Sequence, residues 1–200
     1  MNSMPRYAYF LLIIFTSLSA SRCKSLSSSN PVVEISTKYG IIGVEIYIDK
    51  APVTANNFLE YIKRNMYDRA CFYRVVKPDN QPDNEIKIEV IQAGLGFVDS
   101  LPGLAPIEHE STLKTGIKHK NGTISMARLE PGTASSEFFI CIDDQPELDY
   151  GGKRNPDGQG FAAFGKVIQG MGVVRRIQRL PDTNQMLNSP VIISAIKIIR

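Results

Sequence analysis

The sequence predicts a mainly-β domain, a barrel or sandwich with helices capping it. Three observations point there. After Pro31 the chain falls into eight short runs rich in Val, Ile, Phe and Tyr. Turn signals separate them, among them Tyr39-Gly40, Asp49-Lys50-Ala51-Pro52 and Asn121-Gly122. Only two segments carry helical spacing.

Residues 32–37 and 41–48 read as a hairpin, with Ile42, Val44, Ile46 and Ile48 on one face. Residues 53–64 read as a helix: Phe58, Leu59 and Ile62 recur at helical spacing and Pro52 stands near the start. Residues 71–76, CFYRVV, form a strand. Alternation puts Phe72, Arg74 and Val76 on one face and Cys71, Tyr73 and Val75 on the other. A permanent charge between Phe and Val is the anomaly of this run. Further strands are expected near 86–92, 123–127, 137–142, 161–168 and 191–199. A second helix is expected near 170–180, with Val173, Val174 and Ile177 inward and Arg175, Arg176 and Arg179 outward. The polar loop 78–84 and the Gly-rich loop 151–160 connect strands. The latter lacks a Gly-Lys-Ser/Thr ending and no helix follows, so it is not a phosphate cradle.

Two hundred residues suffice for one domain with a core, and 43 % apolar with 22 % charged residues fits a globular chain. The net charge of +3 is scattered, with no run of four Lys/Arg, which argues against a nucleic-acid partner. His109 and His119 lack neighbouring ligand patterns, so neither metal nor cofactor is expected. Glu108-His109-Glu110 reads as a solvated loop, and Asp143-Asp144 as a turn. No Ser-His-Asp or Cys-His order stands out. Asn121-Gly122-Thr123 is a glycosylation sequon only in a eukaryotic secretory route and is otherwise a turn. Cys71 and Cys141 lie in apolar runs and read as small buried hydrophobes, with a bridge between them the alternative.

The N-terminus differs from the rest. Arg6 precedes an apolar run, Tyr7 to Phe15, and small residues follow through Ala20. That is the layout of a secretory signal. The run is shorter than the ~20 apolar residues a membrane span needs; an uncleaved anchor or a core segment is the competing explanation. The expected organisation is a signal over 1–22, a Ser-rich tail or tether over 23–30 and one domain over 31–200. Removing Arg6 and Arg22 takes the charge from +3 to +1. Export follows, to the periplasm or to a membrane-anchored lipoprotein tethered through Cys23. Arg22, where a small residue normally precedes a lipidated cysteine, speaks against the tether.

Five motifs then agree in register: Phe72-Tyr73-Arg74-Val75-Val76, Val90-Ile91-Gln92-Ala93-Gly94, Gly122 to Arg128, Ser135 to Ile140, and Phe164 to Met171. Together with Ala51 to Phe58, they resemble the cyclophilin-type peptidyl-prolyl cis-trans isomerases over residues 31–200. The resemblance implies a closed eight-stranded antiparallel β-barrel capped by two α-helices, with its site on the outer surface. It implies a monomer acting on proline-containing peptides and unfolded proteins, without cofactor.

The chemistry is simple in outline. Rotation of an Xaa-Pro amide crosses a barrier of ~18–20 kcal/mol because the nitrogen shares its lone pair with the carbonyl. A catalyst needs only to bind the twisted bond better than the planar forms. In the twisted state the nitrogen regains a lone pair, and a fixed guanidinium can donate to it. By resemblance Arg74 is that donor and Gln92 binds the substrate backbone and helps hold the arginine. Phe139 and Leu148 wall the proline pocket, Ala127 admits the peptide backbone and Arg128 offers main-chain groups.

The departures from the family are specific. The interval between Arg74 and Gln92 is longer, over 78–88. Val90 stands in a Met place and Glu89 in a Phe place, so either the pocket floor is shallower or the inserted loop fills it. Phe161 replaces a histidine, Glu137 a glutamine and Glu147 a tryptophan. The last change predicts weak cyclosporin binding. The competing functions are a proline-peptide binding module or chaperone with little turnover, and a plain structural barrel.

Overall fold

The computed structural model describes residue 1, residues 30–96 and residues 103–200. The expected signal and the Cys23 tether therefore lie outside the described residues. Among those described, no helix is long and apolar enough to cross a membrane.

The protein forms β1 (Val32–Thr37), β2 (Gly40–Ile46), α1 (Pro52–Lys63), β3 (Cys71–Val76), β4 (Val90–Gly94), α2 (Thr112–Thr115), β5 (Thr123–Met126), β6 (Phe138–Cys141), β7 (Ala162–Gln169), α3 (Met171–Gln178), β8 (Asp182–Thr183) and β9 (Met186–Ile198). Strand order is β1-β2-β7-β5-β6-β4-β3-β9, and β9 pairs back onto β1, closing an antiparallel barrel of eight strands. The two-residue β8 adds to β9 as a hairpin arm. Closure removes the exposed edges that an open sheet would present.

The barrel is filled by side chains. Ile35 and Ile42 face each other across β1 and β2, and both are fully buried. Phe58 of α1 packs on Phe138 edge to face, with ring centroids 5.3 Å apart, and on Phe164 at 5.1 Å. Each such aromatic contributes on the order of 1.5–3 kcal/mol by burial. The interior is thus packed, and a ligand site must lie outside it.

The helix α1 begins with Ala51 as N-cap and Pro52 in its first turn, without a side-chain cap from its own sequence. Glu110 supplies one from afar: its Oε2 accepts from the Thr54 N–H at 2.8 Å and from the Thr54 hydroxyl at 2.7 Å. A carboxylate there meets both an orphan N–H and the positive end of the helix. This corrects the expectation of a solvated Glu108-His109-Glu110 loop, because Glu110 is buried. No metal-holding cluster exists among the described residues. In α3, Val174 and Ile177 are buried while Arg176 and Arg179 are exposed, as the spacing predicts. Its N-cap Gly170 has φ +88, and a Cβ there would lie 2.2 Å from the Ile41 carbonyl oxygen, so only glycine fits.

Three features differ from expectation. A third, one-turn helix, α2, is present. The strand expected from 86 begins at Val90, because Ile88 is held by a side chain rather than a ladder. The Gln81 amide donates to Ile88 O at 2.8 Å and accepts from Ile88 N at 3.3 Å. The last strand begins at Met186, after a tight turn in which Asn184 and Gln185 take φ values of 50° and 71°. Two consecutive positive φ values are what a two-residue hairpin turn of type I′ demands.

Candidate functional site

Strict alternation along β3 fails at the residue that matters. A bulge lies between Phe72 and Arg74 in the pairings with both β4 and β9. Phe72 therefore packs in the interior against Phe138, and Val75 joins the same core. Tyr73 and Arg74 both reach the groove network, and Val76 joins a separate outer cluster. Phe72 thus does not share a face with Arg74, as alternation predicts, and Tyr73 is not on the opposite one. A bulge adds one residue against its partner strand and re-aims the side chains around it.

Arg74 is fixed along two edges by neutral amides. Its Nη1 donates to Gln92 Oε1 at 2.9 Å. Its Nε and Nη2 both donate to Gln185 Oε1, at 3.1 and 2.6 Å. Gln185 is fixed in turn: its amide donates to Asn80 O at 3.0 Å and its backbone oxygen accepts from Val75 N at 2.8 Å. Burial draws the Arg74 pKa below its usual value, yet a guanidinium remains charged at neutral pH.

A second series of bonds orients Gln92. Its Nε2 donates to the Tyr73 hydroxyl at 2.7 Å, and that hydroxyl donates to Glu137 Oε2. Leu95 N and the Ser136 hydroxyl donate to Glu137 Oε1, at 2.7 and 3.1 Å. Burial, and then the bond to Glu137, push the Tyr73 pKa far up, so the hydroxyl keeps its proton. A carboxylate only accepts. Tyr73 must therefore point its proton at Glu137 and accept from Gln92, which turns the Gln92 oxygen toward Arg74.

The structure brings all eight residues singled out in the sequence to one groove of about 310 Å³: Arg74, Val90, Gln92, Ala127, Arg128, Phe139, Leu148 and Phe161. Val76, Ile88, Val90, Phe139, Cys141 and Leu148 form the outer cluster, with Ala127 and Phe161 packed against it. Phe161 meets Phe139 edge to face at 5.2 Å. Ile88, from the inserted loop, lines the groove beside the smaller Val90. Glu89 turns away and accepts from Gln178 at 2.9 Å. The Arg128 side chain is only 1 % exposed, paired with Asp157 at 2.7 and 3.0 Å and lying over the Phe161 ring. That guanidinium is a structural strut. Glu147 is not among the lining residues, and its Oε2 accepts from Lys153 N.

The Gly-rich loop 151–160 belongs to this site as well. Gly160, at φ +64, lets the backbone pass so close that a Cβ would lie 2.5 Å from Leu148 O. Arg154 and Asn155 thereby line the groove. Arg154 Nη1 donates to Gln81 Oε1 at 2.9 Å and to Ile86 O at 2.6 Å, clasping the inserted loop. Sequence reasoning missed Tyr73, Gln185, Ile88 and Arg154.

Behind Phe139 the fold assembles a Ser-His-Asp arrangement that the sequence order does not suggest. His119 Nδ1 lies 2.8 Å from Asp149 Oδ1 and Nε2 lies 3.0 Å from Ser125 Oγ. Ser125 is fully buried, so it cannot meet a substrate. The His119 ring instead stacks on Phe139, 6.0 Å away and 15° from parallel, and backs the pocket wall. Cys71 and Cys141 are both free, and burial raises both thiols. Neither is an active nucleophile.

Comparison with known proteins agrees with this geometry. The family model for cyclophilin type peptidyl-prolyl cis-trans isomerase/CLD matches residues 32–198. A peptidyl-prolyl cis-trans isomerase of Acinetobacter baylyi is 35 % identical over 86 % of this protein and 84 % of its own length. Peptidyl-prolyl cis-trans isomerase B of Escherichia coli is 33 % identical over 74 % of this protein and 84 % of its own length. A crystal structure of a Cryptosporidium parvum cyclophilin superimposes with a TM-score of 0.69, covering 86 % of this protein and 98 % of that one at 23 % identity. The same Cryptosporidium protein, solved in the presence of the dipeptide Ala-Pro, gives 0.68 over 84 % of this protein and 99 % of that one. Barrel, groove and relatives agree: the chain belongs to the cyclophilin-type peptidyl-prolyl cis-trans isomerases and is an isomerase.

Proposed function

We propose that this isomerase seats the proline of an Xaa-Pro segment on Phe139, Leu148, Val90 and Ile88 and twists the preceding amide under Arg74. The observation that carries it is a guanidinium held by two neutral amides above an apolar floor. Such a donor is preorganised for a lone pair that exists only in the twisted state. Gln92 binds the substrate backbone, Ala127 and Phe161 border the pocket, and Arg128 contributes main-chain groups, since its side chain is committed to Asp157. The solved relative with Ala-Pro supports a proline ligand in this fold.

The substrates we infer are unfolded proteins outside the cytoplasm. This rests on the signal-like layout of residues 1–22. Exchange spectroscopy on an Ala-Pro peptide tests the activity: catalytic amounts of protein should speed cis–trans exchange, and binding without acceleration would leave only a proline-binding module. Mass spectrometry of the mature N-terminus tests export. A start after Ala20 or Arg22 supports release, a lipidated Cys23 supports anchoring, and an intact Met1 in secreting cells contradicts both.

A further inference from the structure

Among the described residues the groove is lined by three arginines, Arg74, Arg128 and Arg154, and by no acidic residue. Among the described residues only Arg128 of the three has a counter-ion, Asp157. Arg74 is bonded to the amides of Gln92 and Gln185, and Arg154 to the Gln81 amide and the Ile86 carbonyl. Neutral acceptors orient a guanidinium without cancelling its charge. Neither Arg74 nor Arg154 takes part in an ion pair among the described residues. Among the described residues the bonds of Arg154 use only Nη1. Burial, and then the charge of Arg74, make Arg154 less basic than usual, so the two cations sense each other. Two like charges facing one half-dry groove repel until an anion enters.

Position narrows the ligand. A smaller pocket adjoins the groove through Gln92, Ala127, Arg128 and Leu129 and carries Glu137. Arg154 lines the main groove but not this neighbour. The two adjoining pockets therefore differ in their charged lining: both share Arg128, the smaller adds Glu137 and the main groove adds Arg74 and Arg154.

We propose that Arg154 makes the groove selective for a carboxylate beside the proline, from an acidic residue following it or from a peptide that ends in proline. This rests on the groove being the proline site. Arg154 acts here on specificity and takes no part in twisting the bond. An arginine can grip a carboxylate through two parallel bonds, and its remaining donors suit that.

Titration of the full-length protein with short peptides tests it, using Ala-Ala-Pro-Glu, -Gln and -Lys as amides, and Ala-Ala-Pro as free acid and as amide. The Glu amide or the free acid should bind about tenfold more tightly than its neutral counterpart, equivalent to ~1.4 kcal/mol. The Lys peptide should bind more weakly than the Gln peptide. The advantage should shrink as salt rises from about 0.05 to 0.5 M. An advantage of the Glu peptide assigns an acidic side chain, and one of the free acid alone assigns the peptide terminus. Arg154→Gln should remove the advantage and Arg154→Lys keep part of it. Equal binding of all five peptides by the wild type, or an undiminished advantage in Arg154→Gln, overturns the proposal. Should Arg154→Gln release the 81–86 loop and unfold, the salt dependence of the wild type and the Arg154→Lys titration decide. Turnover is read separately: its loss on every peptide speaks against the isomerase mechanism, while the binding ratios still decide this proposal.

Discussion

Gln185 Oε1 accepts two hydrogen bonds from one side of the Arg74 guanidinium, from Nε at 3.1 Å and Nη2 at 2.6 Å. The clamp comes from a hairpin turn far along the sequence, where Gln185 sits at φ 71°. A residue with a side chain is strained there, and glycine is not. The strain is tolerated at a position whose side chain fixes the central cation.

Gln185→Gly separates these two effects. It keeps the turn, relieves the backbone and frees one edge of Arg74. Turnover should fall about tenfold, a barrier change of ~1.4 kcal/mol, while the thermal midpoint stays level or rises. Steady-state kinetics with a melting curve checks this. Unchanged turnover would show that Gln92 alone suffices to hold the arginine.

Tyr73→Phe tests the bonds that orient Gln92. The change leaves Glu137 Oε2 without its tyrosine donor and Gln92 Nε2 without its acceptor. A loss of about 1–3 kcal/mol in unfolding free energy is expected from the stranded groups. Gln92 becomes free to turn its amide, so kcat should drop more than KM rises. Urea unfolding and kinetics on the same variant read both. A variant as stable and as active as the wild type would contradict this orienting role.

The His119 relay gives a pH dependence. Burial holds His119 below its ordinary pKa, even against the nearby Asp149 carboxylate. An unfolded histidine takes up a proton near pH ~6.5. As pH falls through that value the unfolded state binds more protons than the folded state, so stability drops. The loss continues until the folded ring itself protonates. Urea midpoints should therefore decline from about pH 7.5 toward about 5.5, a window set by the histidine range. His119→Gln should flatten the decline. An undiminished decline in folded His119→Gln would place the effect elsewhere.

Glu147 stands where the family resemblance places a tryptophan, and its carboxylate faces Lys153 N rather than the groove. It offers neither the indole surface nor the N–H that cyclosporin would use. Calorimetric titration should give weak binding, and a sub-micromolar Kd would sink this expectation.

The barrel was legible because its runs alternate and end at turns, and because Arg74, Val90, Gln92, Ala127, Phe139 and Phe161 of the groove lie on such runs. What escaped did so for physical reasons. Alternation cannot reveal a bulge, since the extra residue at Phe72–Arg74 leaves no mark in apolar pattern. Ile88 looked like strand because nothing in its neighbours shows that Gln81 takes its main-chain groups. Gln185, Arg154 and Glu110 act on partners 111, 73 and 56 residues away. Their types, a turn glutamine, a loop arginine and a loop glutamate, are what solvent-facing positions also carry. The Ser125-His119-Asp149 relay is invisible for the same reason, because the turn that carries Asp149 returns beside His119 only in the folded protein.

The most direct test is the rate of Xaa-Pro exchange for the wild type and for Arg74→Ala, with folding confirmed by circular dichroism and peptide affinity measured alongside. A preorganised donor of this kind is typically worth ~10²–10³ in rate. Arg74→Ala should stay folded, bind peptide within a few fold and lose most of the acceleration, with Arg74→Lys restoring little because a point charge cannot span Gln92 and Gln185. Undiminished acceleration by folded Arg74→Ala would contradict the role assigned to this guanidinium.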